Sequence, residues 1–254
     1  MLRTTASLAL ALTTLVAVAA RAQEPQQPAT PAAAAQAPAQ GQNTKPGIAV
    51  LDFDLGLTMG QPHDDYEALR RGLASLTITE LTANPAIRVV ERTQLQQLLQ
   101  EQNLGREGRL DNETMARVGR IIGARYMVTG TFFDNHGAVR VDARIFNVET
   151  SEILRTQSVT GRMDNLYDML PRLAQQLMHD AQLPPLERGA ANEFRQANPP
   201  PPTQAVMAYS RAVLYADRGD TNRAVEQYRH ALQTFPQYTQ ARTACNALQA
   251  GACT

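Results

Sequence analysis

The chain has 254 residues, 43% of them hydrophobic, with 24 basic groups set against 24 acidic ones and two cysteines. That balance offers no electrostatic footprint for nucleic acid or for an anionic membrane surface. Cys245 and Cys253, eight positions apart, also exclude a disulfide framework standing in for a hydrophobic core.

Residues 1–22 read as a cleavable secretory signal. Arg3 supplies the positive start, Leu8 to Ala19 an apolar run, and Ala20-Arg21-Ala22 the small residues a signal peptidase reads, which places cleavage between Ala22 and Gln23. The run is short of the roughly 20 residues that span a bilayer, which argues against an uncleaved anchor. Removing Arg3 and Arg21 leaves 22 basic and 24 acidic groups, a net charge of −2. No cysteine stands at the cleavage point to be acylated, so the expected product is exported and soluble.

Residues 23–45, nearly all Ala, Pro, Gln, Thr and Gly, bury too little to offset ordering entropy and read as a disordered tether. A Pro-rich stretch at 184–202 reads as a linker, separating an α+β domain at 46–183 from a small helical domain at 203–254.

The α+β domain opens with the apolar run Gly47 to Asp54, a buried strand. Tyr66, Leu69, Leu73, Leu76 and Leu81 then fall at helical spacing, with Glu67 and Arg71 as an i,i+4 pair on the outer face. Asn84-Pro85 ends that helix. Ile87 to Glu91 predicts a second strand, and Thr93 with Gln96 a capping box for the helix carrying Leu95, Leu98 and Leu99. Asp111 to Gly123 predicts a third helix. Strands follow at Tyr126 to Phe133, Ala138 to Val148 and Ile153 to Val159, joined by the tight connections Asn135 to Gly137 and Glu149 to Ser151. In the middle strand Val139, Val141, Ala143 and Ile145 alternate with Arg140, Asp142 and Arg144, so one face is buried and the other charged. A helix with Leu166, Leu170, Leu173 and Leu177 covers the sheet.

These elements resemble the CsgG-like family of envelope proteins, named for the curli secretion channel. The matching words are Ile48 to Phe53, Val89-Val90-Glu91-Arg92 with Leu95, Leu98, Leu99, Glu101 and Gln102, Gly123-Ala124-Arg125-Tyr126 with Gly130, and Asp142-Ala143-Arg144 leading to Asn147 to Thr150. The resemblance implies a CsgG/TolB-N-like mixed sheet with packed helices and a periplasmic life among protein partners, associated with the outer membrane through them. The channel also carries a lipidated cysteine and membrane hairpins. Here the two tight connections are too short for membrane strands of about 10 residues, so no pore is expected.

Residues 203–254 resemble one tetratricopeptide repeat. Ala212 and Tyr215 match its first helix, Gly219-Asp220 its turn, and Ala224, Tyr228, Ala231 and Pro236 its second helix, with a capping helix from about Thr239 to Ala250. One repeat does not stand alone, so it packs on the other domain, on a second copy or on a partner. In one continuous helix Cys245 and Cys253 sit about 12 Å apart, beyond the reach of a bridge, whereas a turn at Gly251 brings them together; bridged and free thiols both remain open.

A search for chemistry finds no converging groups. The four histidines are scattered, there is no HExxH, GxSxG, P-loop or GxGxxG, and no Cys/His spacing for a metal. His63-Asp64-Asp65 reads as a helix start rather than a metal site, and Gly105 to Arg109 as a solvated loop rather than an anion site. No catalytic residue, cofactor or metal is expected. The candidate interaction residues are Arg140, Asp142 and Arg144, which otherwise form a solvated face with cross-strand ion pairs, together with Tyr215 and Tyr228. The expected role is non-enzymatic, through protein contacts in secretion, assembly or surface maintenance. The alternatives are a ring-forming homo-oligomer beneath an outer-membrane pore and an accessory regulator of a cell-wall synthase.

Overall fold

Hydrophobic alternation in β1 (Gly47–Val50) organises the whole molecule: Ile48 and Val50 point into one core, Ala49 and Leu51 into another on the opposite face. A computed structural model describes residues 45–104 and 110–253. The expected signal segment with its Ala22–Gln23 cleavage point, the expected tether up to residue 44 and the expected loop at 105–109 lie outside the described residues.

After β1 the chain breaks at Leu51 to Phe53 and resumes as β2 (Asp54–Met59), then enters α1 (His63–Thr82), β3 (Arg88–Val89), α2 (Arg92–Glu101) and α3 (Asn112–Ile121). The meander β4 (Tyr126–Asn135), β5 (Ala138–Asn147) and β6 (Glu152–Arg162) follows, and α4 (Leu166–Asp180) closes the layer. The sheet order is β3-β1-β4-β5-β6, with β2 pairing β4 beyond the end of β1. β1 is parallel to β3 and β4, while β4, β5 and β6 are antiparallel neighbours. Three layers result. α1 and α4 cover one face of the sheet, α2 and α3 part of the other, and the remainder of that second face, carrying Arg140 and Arg144, is left open by the described residues.

Local chemistry explains the boundaries. His136 and Gly137 both take positive φ, 50° and 87°, the geometry a two-residue hairpin needs. Asp134, 1% exposed, holds that turn by accepting from the Gly137 N–H at 2.7 Å and from the Tyr66 hydroxyl at 2.8 Å. Burial, reinforced by Asp134, pushes the Tyr66 phenol up to about 12. Asp111 caps α3 by accepting from the Thr114 N–H at 2.8 Å. The capping box expected at Thr93 does not form: α2 starts at Arg92, with no side-chain cap at Glu91.

The stretch expected as a linker holds a helix, α5 (Arg188–Ala197). None of its residues is fully buried, and the helix ends where the Asn198 N–H donates to Phe194 O at 2.8 Å. Beyond it, α6 (Thr203–Asp217), α7 (Thr221–Thr234) and α8 (Thr239–Leu248) join the same core as α1 and α4. α6 lies on α1 at Gly72, where an added Cβ would stand 1.8 Å from Ser210 Oγ, so only glycine permits this approach. Cys245 and Cys253 are disulfide-bonded, with Cα atoms 6.0 Å apart, and tie the turned-back tail to α8.

Candidate functional site

β1 and β3 are adjacent and parallel, and the chain leaves them toward opposite faces, β1 toward α1 and β3 toward α2. In open α/β sheets the crevice beyond the carboxyl ends of such a strand pair is where ligands bind. Here the residues that follow those ends are Asp52 and Arg92.

Arg92 is the centre of the arrangement. Its Nε and Nη2 donate to Asp52 at 3.0 and 3.1 Å, and its Nη1 and Nη2 donate to Asp217, the last residue of α6, at 3.0 and 2.6 Å. Two carboxylates thus receive one guanidinium in fork geometry. Burial opposes the charge on Arg92, but Asp52 and Asp217 outweigh it and raise its pKa. Asp217 also accepts from Arg71 at 3.1 Å, Arg71 and Arg70 both reach Glu67, and Arg70 lies 3.7 Å from Asp54. Arg70 fastens the strand break as well: its Nε donates to Phe53 O at 2.7 Å, and the Phe53 N–H donates to Arg70 O at 3.2 Å.

This network forms one wall of a cleft of about 950 Å³, within the range of natural ligand sites. Thr129, Gly130, Thr131, Arg144 and Ile153 make its floor on β4, β5 and β6. The far wall is Gln96, Leu99, Gln100 and Asn103 of α2, with Leu104, Leu110 and Met115; Arg218 stands at the lip, after α6. Each acid of the wall already pairs with an arginine. Arg144 and Arg218 have no carboxylate partner among the described residues. Arg144 acts on Asp142 only through space, because Asp142 is bonded to Arg140 at 2.7 Å and to the Ser158 hydroxyl at 2.6 Å. Although partial burial opposes its charge, those two bonds hold Asp142 below the usual carboxylate range.

The sequence-derived candidates divide accordingly. Arg140, Asp142 and Arg144 share the open sheet face, but the ion pair runs along β5 instead of across strands, and only Arg144 reaches the cleft. Tyr228 is not a surface residue: it is 3% exposed and packs on Tyr209 with ring centroids 5.8 Å apart. Tyr215 is half-buried beneath the Arg223 guanidinium, 4.7 Å from its ring centre. Glu67 and Arg71 do pair, at 3.5 Å, but at the junction with α6 rather than on an outer face. Asp65 in the first turn of α1 pairs with Arg211 at 2.6 Å, and among the described residues no group of three His, Cys, Asp or Glu is placed to hold a metal. Arg70, Asp217 and Arg218 were not singled out from the sequence, and Asp52 and Arg92 stood in its matching words without a role; the one signal available was a charged residue just beyond each strand end, where it needs a partner.

Fold and cleft define a layered α/β scaffold with a ligand-sized crevice between the end of β1 and the face of β4, β5 and β6, and no helix, among the described residues, long and apolar enough to cross a membrane. The pattern of the family described as Curli production assembly/transport component CsgG matches residues 29–136, so the chain carries a CsgG-like region. No curated protein matches. Among solved structures, the chain resembles the LpoB C-terminal domain from Escherichia coli with 21% identity, TM-score 0.34, covering 48% of this chain and 87% of that one. It resembles Lipoprotein GNA1162 from Neisseria meningitidis with 13% identity and TM-score 0.38, covering 52% and 96%. It also resembles a PelC dodecamer from Paraburkholderia phytofirmans with 14% identity and TM-score 0.31, covering 55% and 89%.

Proposed function

We propose that this chain is a non-enzymatic protein of the cell envelope, exported through the signal at 1–22, that acts through protein contacts in secretion, assembly or surface maintenance without forming a pore. The observation that carries this reading is the CsgG-type match over residues 29–136. The cleft supports it, since its carboxylates are engaged by guanidinium groups and its free charges among the described residues are Arg144 and Arg218, a set suited to holding a partner rather than to moving protons.

The contact surfaces are the cleft and the open sheet face beside it. The helical hairpin α6–α7, which we read as a tetratricopeptide-like unit, does not offer a free groove on α6, because α6 lies between α1 and α7. Its deletion would uncover the core at Gly72, so point variants test contacts more cleanly than truncation. A second reading, a homo-oligomeric ring subunit, is favoured by β6, an edge strand of 11 residues whose side chains are mostly exposed.

Photo-crosslinkable residues at Ser158 and Gln100 in the full chain, expressed in its own cells, test the proposal. Adducts with envelope assembly or secretion proteins, identified by mass spectrometry, are the expected result. Cytosolic retention of the chain, or the absence of any envelope adduct from both positions, would refute it.

A further inference from the structure

We propose that the cleft receives an extended segment of a partner protein bearing isolated acidic side chains between apolar ones. This rests on the protein-contact reading above and adds the partner's chemistry. The argument starts from charge. Arg144 on the floor and Arg218 at the lip lack carboxylate partners among the described residues, and guanidinium groups left this way in a concave site fit carboxylates by bidentate donation. Asp52, Asp54, Glu67 and Asp217 on the other side are balanced by Arg70, Arg71 and Arg92, so the cleft's unpaired cations among the described residues are two separate arginines, which fit isolated carboxylates better than a continuous polyanion such as nucleic acid or an anionic lipid surface.

Apolar surface completes the case. Ile153, 42% exposed, is one of five large exposed hydrophobic residues among those described, and it lies on the floor beside Arg144 and across from Leu104 and Leu110. The amides of Gln96, Gln100 and Asn103 supply donors and acceptors of the kind that an extended peptide backbone requires. A segment alternating leucine and aspartate satisfies all three features, whereas a free phosphate satisfies one.

The test uses the chain from Gln23 onward and a fluorescein-labelled peptide, Leu-Asp-Leu-Asp-Leu, with its Asn-containing counterpart, read by fluorescence polarisation at about 0.1 M salt, where charges beyond roughly 10 Å are screened. The acidic peptide is expected to bind about tenfold more tightly than the amide peptide, and Arg144→Glu and Arg218→Glu each to weaken it by about tenfold. Arg188→Glu on exposed α5, the same change away from the cleft, is expected to leave binding unchanged. Arg144→Gln and Arg218→Gln give the same comparison where a reversed charge loosens the fold. Equal binding of the two peptides, no saturable binding of the acidic one, indifference to both substitutions, or tighter binding of pyrophosphate or phosphatidylglycerol vesicles would overturn the proposal. Envelope crosslinks that persist beside such a result would leave the broader function standing and remove only the cleft's assigned partner.

Discussion

Replacing Arg92 by alanine is the most informative perturbation of the scaffold. The side chain is 9% exposed and gives four hydrogen bonds to two carboxylates that are themselves 19% and 23% exposed. Breaking a fully buried pair costs roughly 3–5 kcal/mol and an exposed one roughly 0–1, so partial exposure of the acids places the loss at about 3 kcal/mol. For a domain of this size that corresponds to a fall of about 6–12 °C in Tm. Thermal unfolding followed by circular dichroism measures it, and limited proteolysis after Arg218 should quicken in parallel, because Asp217 is released. Arg92→Lys keeps the charge but lacks the planar fork, and is expected to recover less than half of the loss. A Tm change under about 2 °C for Arg92→Ala, or full recovery by lysine, would refute the account of Arg92 as the joint between β1, α2 and α6.

Three other outcomes follow from the structure. Burial raises the pKa of Glu80, against the opposing effects of the Tyr167 hydroxyl at 2.7 Å and of Arg195. A raised folded-state pKa favours folding while the group is protonated and loses that contribution as pH rises through it, so Glu80→Gln should gain stability over the parent between acid and neutral pH, measured as a widening Tm difference. Reducing the Cys245–Cys253 bridge, which closes a loop over a separation of 8, should cost about 2–3 kcal/mol in urea titrations, and an unchanged midpoint would show that the tail is held by other contacts. Gly72→Ala gains about 1 kcal/mol of helix propensity but places a Cβ 2.7 Å from Ser210 Cβ, for an overpacking cost of about 1–3 kcal/mol. Net destabilisation that Ser210→Gly repairs is the expected result of that double-variant comparison.

What the sequence made legible followed from periodicity. Val139 to Ile145 alternate cleanly and Leu166, Leu170, Leu173 and Leu177 recur at helical spacing, so β5 and α4 were readable, and all eight of these side chains are nearly fully buried. β2 was not, because Asp54 to Met59 pairs only along β4, has no fully buried residue and contains Gly56, whose missing Cβ makes room for Phe133. α5 was hidden by its flanking prolines and its half-buried face. The cleft was illegible for another reason: Asp217 lies 125 positions from Arg92, and no local pattern marks a pair at that separation. Gly72 and Ser210 are likewise ordinary in their own helices and acquire meaning only together.

The joint at Arg92 also sets an order of events during synthesis. Asp52 and Arg92 leave the ribosome early, but the second carboxylate arrives only with α6, and the helix face around Gly72 waits for the same segment. Until then the emerging α/β layer carries a half-neutralised guanidinium and an uncovered apolar helix. Completion of α6 is therefore the step that closes both the ion-pair joint and the apolar face of α1.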